Sequence, residues 1–197
     1  MLTKTQLSII GYLLNREEPQ SIRGIAKDLK KSYTLVYNNI ENLRKKGVIY
    51  KQQVGTAQII NLSSNVPTKY LIEAESFAKQ QFIKKHKWVE LFLKDVLSNS
   101  KQTFFILLVF GSFAKGEMSK KSDLDLLAIV PDKKGIKEVE DAICQAYTKV
   151  KKQVIVIAPN MFMDMVNKPG YVSVGDEARK HHIILYGAEQ YHTLMKR

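Results

Sequence analysis

Cysteine is almost absent from this chain: Cys144 stands alone, which excludes an internal disulfide and suits a reducing cytosol. Long apolar runs are missing too. The longest, Phe104–Phe110, falls far short of the ~20 residues a membrane helix needs. The N-terminus opens on a polar, helix-capping sequence without a signal-peptide pattern. Together these absences lead to the expectation of a cytoplasmic protein with no membrane partner. Acidic residues are also scarce, 19 against 31 Lys and Arg, and the net charge of +12 points towards polyanions. No internal repeat or low-complexity segment is found. The hydrophobic share of 45% and charged share of 25% are those of an ordinary globular protein, and 197 residues fit one large or two small domains.

The basic excess is densest before Val66. Lys4, Arg16, Arg23, Lys27, Lys30, Lys31, Arg44, Lys45, Lys46 and Lys51 face only Glu17, Glu18, Asp28 and Glu41. This third has its own pattern. Thr3 with Gln6 reads as a capping box, followed by Leu7, Ile10, Leu13 and Leu14 at helical spacing. After Pro19, Ser21 can cap a second helix carrying Ile22, Ile25, Ala26 and Leu29. Ser32 can cap a third, in which Val36, Ile40 and Leu43 form a buried stripe and Tyr33, Thr34, Tyr37, Asn38 and Glu41 face outward. Gly47 suits the left-handed stop of that helix. Val48–Val54 and Gln58–Leu62 alternate around Gly55 as a β-hairpin.

The stretch IRGIAKDLKKSYTLVYNNIENLRKKGVI, Ile22 to Ile49, resembles the winged helix-turn-helix transcription regulators. The resemblance implies a DNA-binding domain over residues 1–66 whose third helix enters the major groove. Ser32, Tyr33, Thr34, Tyr37 and Asn38 are then the base-reading candidates, and Lys30, Lys31, Arg44, Lys45, Lys46 and the wing's Lys51 the phosphate candidates. A protein-interaction module with solvated lysines is the alternative, since lysines near a helix C-terminus also answer the helix dipole.

Residues 67–100 are expected to be a helical connector, one long helix or two. Tyr70, Leu71, Ala74, Phe77, Ala78, Gln81 and Phe82 make a stripe continued by Trp88, Leu91, Phe92 and Val96, which suits a core or a homodimer seam.

Residues 101–197 carry the most specific pattern. The apolar strand of LVFGSFAKGEMSKKSDLDLLAIV runs into Gly111-Ser112, and Asp123 and Asp125 then alternate with Leu124 and Leu126. Strand alternation sends both carboxylates to one face, with the leucines packed behind. Paired carboxylates beside a Gly-Ser turn suit Mg²⁺, a hard ion that takes carboxylate and phosphate oxygens. Gly111 permits a turn and a close phosphate approach, while Ser112 is expected to cap a short helix and the phosphate.

This segment resembles the DNA polymerase β-type nucleotidyltransferases, especially their minimal members, with Gly111, Ser112, Ala114, Lys115, Gly116, Ser122, Asp123 and Asp125 fitting the family pattern. The resemblance implies an α+β chain: a winged helix of three helices and a hairpin wing, a helical connector, and a mixed sheet flanked by helices. It implies transfer of a nucleoside monophosphate from an NTP, with Mg²⁺ or Mn²⁺, to a hydroxyl of a protein, an RNA or a small molecule. Asp123 and Asp125 would be catalytic metal ligands, and Gly111, Ser112, Lys115 and Ser122 would bind nucleotide. Minimal members are often antitoxins that modify a partner toxin, so a protein partner and autoregulation through DNA also follow from the resemblance.

One family feature is missing. Active members carry a third carboxylate on a following strand, but the corresponding Gln153–Ala158 reads QVIVIA and has no acid. A neutral amide is a poor Mg²⁺ ligand and no general base. A nucleotide-sensing or autoregulating DNA-binding regulator without turnover is therefore the alternative function. Asp141 and Asp164 lack the context to substitute, and Asp164 is expected on a helix begun by Asn160. A helix is expected over Ile136–Val150, with Cys144 as a small core residue on it. Asp176–His182 precedes IILYGAE, a feature similar to the terminal strand of minimal nucleotidyltransferases, and the histidines His181-His182 beside it, His86 and His192 are more readily structural than metal ligands.

Overall fold

The computed structural model describes residues 1–16, 18–55, 57–167 and 173–196 and is α+β, in two compact units, Met1–Ala78 and Lys79–Arg197. In the first, helix α1 (Lys4–Leu14) begins with the expected capping box. Gln6 N–H donates to Thr3 Oγ1 at 3.2 Å and Thr3 N–H to Gln6 Oε1 at 3.0 Å. Strand β1 (Gln20–Ser21) leads directly into α2 (Ile22–Asp28), with Ser21 as its cap. Ser32 caps α3 (Tyr33–Lys45) by accepting from Leu35 N–H. That helix ends as the sequence requires: Gly47 sits at φ +68°, its N–H donates to Arg44 O, and Val48 N–H donates to Leu43 O. These two bonds satisfy carbonyls the helix end leaves open.

Strands β2 (Ile49–Val54) and β3 (Ala57–Leu62) form the antiparallel hairpin, and β1 pairs with the other edge of β3, giving the order β1-β3-β2. Beneath them Ile9, Ile10, Ile25, Val36, Ile40, Leu43 and Ile60 are fully buried. Each such side chain contributes roughly 1.5–3 kcal/mol. Three helices, a hairpin and a short first strand around one core constitute a winged helix.

The connector is two helices, α4 (Thr68–Lys85) and α5 (Trp88–Asn99), broken at His86–Lys87. It is shared between the units: Leu71 and Ala74 join the first core, while Phe82 and α5 join the second. Leu91 does not belong to the buried stripe. It is 51% exposed, because α5 buries Val89, Phe92, Leu93 and Val96, the i, i+3, i+4, i+7 set from which Leu91 is rotated away.

The second unit is built on β4 (Ile106–Phe110), α6 (Gly111–Lys115), β5 (Leu124–Ile129), α7 (Lys133–Gln145), β6 (Lys152–Ile157), α8 (Pro159–Asn167), α9 (Val174–Lys180), β7 (Ile183–Tyr186) and α10 (Ala188–Met195). The strand order is β6-β5-β4-β7, with β5 and β6 parallel and the other pairs antiparallel. One sheet face (Leu107, Val109, Leu124, Leu126, Ala128) packs with Phe92 of α5 and Val139 and Ile143 of α7. The other (Ile106, Leu108, Phe110, Leu127, Ile129) packs with Phe162, Ala178 and Tyr191. Two expectations fail on α7. The helix stops at Gln145, where Ala146 turns extended, and Cys144 is exposed because the buried face consists of Gly135, Val139, Ala142 and Ile143.

Candidate active site and nucleic-acid interface

The central strands bring the signature residues to one end of the sheet. Asp125 pairs with Phe110 in the antiparallel ladder and with Gln153 in the parallel one. Leu124 and Leu126 are fully buried behind it, so Asp123 and Asp125 share the opposite face. Gly111 follows Phe110 at φ +65°, and a Cβ added there would overlap the Asp125 carboxylate. Glycine is therefore required twice, for the backbone conformation and for the approach of the acid.

Ser112 is not the helix cap. The capping position is Phe110, without a side-chain cap bond, and Ser112 lies half-buried inside α6. The helix begins two residues earlier than a Ser112 cap would place it, because the left-handed Gly111 turns the chain at once. Ser122 is occupied within its own turn, where its Oγ accepts from Ser119 N–H at 2.8 Å.

Gln153 stands beside Asp125 in register, and its Nε2 donates to Asp123 Oδ2 at 3.2 Å. The place of the missing acid is taken by a donor. The Asp125 carboxyl is pushed above the ordinary carboxylate value, first by burial and then by the negative charges of Glu177 and Asp123, against the opposing charge of Lys115. Lys115 Nζ pairs with Glu177 Oε1 at 2.8 Å. Glu177 escaped the sequence reading because nothing in the chain's local spacing reveals that α9 lies across from α6.

Two hard carboxylates at an open sheet end fit a divalent cation that also takes phosphate oxygens. Among the described residues no three His, Cys, Asp or Glu side chains come together to hold a metal. An apolar cavity of about 440 Å³, lined by Phe105, Ile106, Ile129, Pro131, Pro159 and Leu194, lies at the other end of these strands, since Ile106 pairs with Ile129. It has no part in the carboxylate chemistry.

The remaining candidates fall elsewhere. His182 lies between α9 and β7, buried, with its ring 4.9 Å from that of Tyr191 and Nδ1 2.9 Å from Ala178 O. His192 is buried beside the same tyrosine, and His86 packs between Phe82 and Phe113. Burial and then the charge of Lys85 hold the His86 imidazole below its usual range. Asp141 and Asp164 are exposed, the latter on α8 as expected.

In the first unit, Tyr33, Thr34, Tyr37 and Asn38 project from α3 and are exposed, and the Tyr33 and Tyr37 rings stack at 6.1 Å. Ser32 is exposed but its hydroxyl serves the helix cap. Lys30, Lys45 and Lys46 are exposed and Lys31 half-exposed. Arg44 and the wing's Lys51 both pair with Glu41, and Lys51 Nζ also lies 4.9 Å from the Tyr37 ring centre. Those pairings, Lys51 first, hold the Glu41 carboxyl below its ordinary value.

Residues 89–168 match the family model of the nucleotidyltransferase domain, and the match contains the Gly111 turn and both aspartates. The second unit carries a nucleotidyltransferase domain. Its polymerase-β-like sheet is joined in this chain to a winged helix-turn-helix, whose residues 1–64 match the family model HVO_A0114. Similar solved structures include a mutant form of S. aureus MepR, 22% identical over 45% of this chain and 65% of that one, TM-score 0.35. Lactococcus lactis ZitR in complex with DNA is 23% identical over 48% and 62%, TM-score 0.37. The chain thus spans less than two thirds of the length of these two proteins, and at such TM-scores nothing about this chain follows from the likeness. No curated protein matches the chain.

Proposed function

We propose that the nucleotidyltransferase domain transfers a nucleoside monophosphate from a metal-bound NTP to an acceptor hydroxyl, and that the winged helix binds DNA. The observation that carries the first part is the convergence of Asp123 and Asp125 beside the left-handed Gly111 turn. Mg²⁺ or Mn²⁺ held by these carboxylates would neutralise triphosphate charge. The bond formed joins the hydroxyl oxygen to the α-phosphorus, the bond broken frees pyrophosphate, and the hydroxyl proton leaves to solvent. Gly111 lets the Asp125 carboxylate lie directly against the turn, Lys115 offers a positive charge beside the acids, and the sheet fixes the carboxylates so that little rearrangement is needed. Ser112 and Ser122 sit on the two segments that flank this position.

The DNA reading rests on the outward row Tyr33, Thr34, Tyr37 and Asn38 on α3 with lysines around it. A regulator that senses nucleotide without turnover is the second reading, favoured by the Gln153 amide where a third carboxylate would stand.

Label transfer from each α-labelled NTP with Mg²⁺ or Mn²⁺ into clarified host lysate tests the choice and identifies the acceptor as protein, RNA or small molecule. Transfer by wild type and not by Asp123→Ala/Asp125→Ala supports the enzyme. Transfer that persists in the double variant removes this site from the chemistry. Nucleotide-dependent DNA affinity without transfer supports the regulator.

A further inference from the structure

Resting on the nucleotide-binding reading above, we propose that Lys115 and Glu177 are an exchangeable pair. An incoming triphosphate takes the lysine, and the released Glu177 carboxylate joins Asp123 and Asp125 as the third acidic ligand of the phosphate-bound divalent cation.

Several observations converge on Glu177. Strand β6 supplies no acid: its residue in register with Asp125 is Gln153, which is already bonded to Asp123. Glu177 comes from a different element, yet its charge reaches Asp125, and it does so as the partner of the same lysine whose charge acts there. Its neighbour Asp176 has no such role. That carboxylate is held on its own helix by Arg179 at 3.1 Å and Lys180 at 2.8 Å.

The Lys115–Glu177 pair is built to exchange. The two side chains are 31% and 38% exposed, so water screens their attraction and the pair is weak. A lysine on a multiply charged phosphate gains stronger, charge-assisted hydrogen bonds. Once the lysine has moved, the uncompensated charge of Glu177 acts on Asp125, a state that a divalent cation would relieve. Coupling the third ligand to phosphate arrival would make tight metal binding depend on nucleotide.

The test uses the full chain with Mn²⁺ as probe, read by electron paramagnetic resonance, and the α,β-methylene analogues of the four NTPs. Mn²⁺ affinity is measured with each analogue, and analogue affinity is measured in EDTA. Glu177→Gln is nearly isosteric and is compared with Asp176→Asn. The expected result is that Glu177→Gln weakens Mn²⁺ binding in the presence of analogue by about tenfold or more, since loss of even an outer-shell partner of a metal ligand is felt on that scale. In EDTA the same variant binds analogue as well as wild type or better, because Lys115 is free, and Asp176→Asn changes neither reading. Mn²⁺ affinity within about twofold of wild type in Glu177→Gln would overturn the exchange and leave the nucleotide site standing. Parallel loss of both affinities would also overturn it, since a structural role predicts that pattern. A wild type that binds no Mn²⁺–analogue complex would overturn the nucleotide-site reading and the exchange with it.

Discussion

Gln153 Nε2 donates a hydrogen bond to Asp123 Oδ2 at 3.2 Å, so the strand position that faces the signature acids holds a donor where a base would be needed. The bond orients Asp123 and would make it a weaker donor to a metal. Replacing Gln153 with Asp would return a carboxylate to this place. Gln153→Asp is expected to raise label transfer at least about tenfold, towards the range that a positioned general base contributes. An unchanged rate with retained Mg²⁺–nucleotide binding would show that β6 does not serve the chemistry.

Asp125 gives a stability prediction with a definite sign. Its carboxyl is raised, chiefly by burial and then by Glu177 and Asp123, so the folded state holds its proton more tightly than the unfolded one. The stability it contributes is fully present below the ordinary carboxylate pKa and is lost as pH rises through the raised value. At neutral pH the ionised group therefore opposes folding. Asp125→Asn should stabilise the metal-free protein, by only about a few tenths of a kcal/mol because the group is half-exposed and water screens its interactions. It should also abolish Mg²⁺-dependent nucleotide binding. Thermal melts with and without Mg²⁺–nucleotide check both parts; a lower melting temperature for the metal-free variant would contradict the assignment.

Gly111→Ala meets two penalties at one position, a φ of +65° and overlap with the Asp125 carboxylate. Roughly 1–3 kcal/mol of stability should be lost, together with nucleotide affinity, as Asp125 is displaced. Gly116→Ala carries a similar φ of +74° but meets no atom within 4 Å. It should cost stability while sparing nucleotide binding, and calorimetry on the two variants separates strain from site geometry.

On the winged helix, Glu41 pairs with both Arg44 and Lys51 and so keeps two phosphate candidates engaged. Glu41→Gln should strengthen binding to all DNA sequences and steepen its salt dependence, because more cations become available to displace counterions. Asn38→Ala should instead cost about 1–3 kcal/mol at particular base pairs. Binding isotherms at several salt concentrations, on randomised and selected duplexes, distinguish the two effects. An Asn38 variant with unaltered sequence preference would mean that α3 does not present this face to bases.

His86 lies between Phe82 and Phe113, and its imidazole is held low by burial and by Lys85. The folded state resists protonation, so stability is full above the unfolded pKa and falls as pH drops below about 6.5. His86→Phe should flatten the stability profile between pH 7 and 5, measured by denaturant melts. A profile as steep as that of wild type would place the acid sensitivity elsewhere.

Local chemistry determined much of this protein. The capping pairs at Thr3, Ser21 and Ser32, the Gly47 stop and the alternation of Asp123, Leu124, Asp125 and Leu126 depend on bonds and faces within a few residues, so the sequence alone carries them. The absence of an acid in β6 was equally plain. Cys144 and Leu91 were harder, because a helix's buried arc depends on which neighbours it meets. Ser112 failed as a cap because the left-handed Gly111 started the helix early. Strand β1, only two residues long, exists because β3 offers an edge to pair with. The decision that mattered most for the site was wholly tertiary: packing brings Glu177 to Lys115 across 62 positions of chain, and charge proximity of that kind leaves no periodicity for a sequence to display.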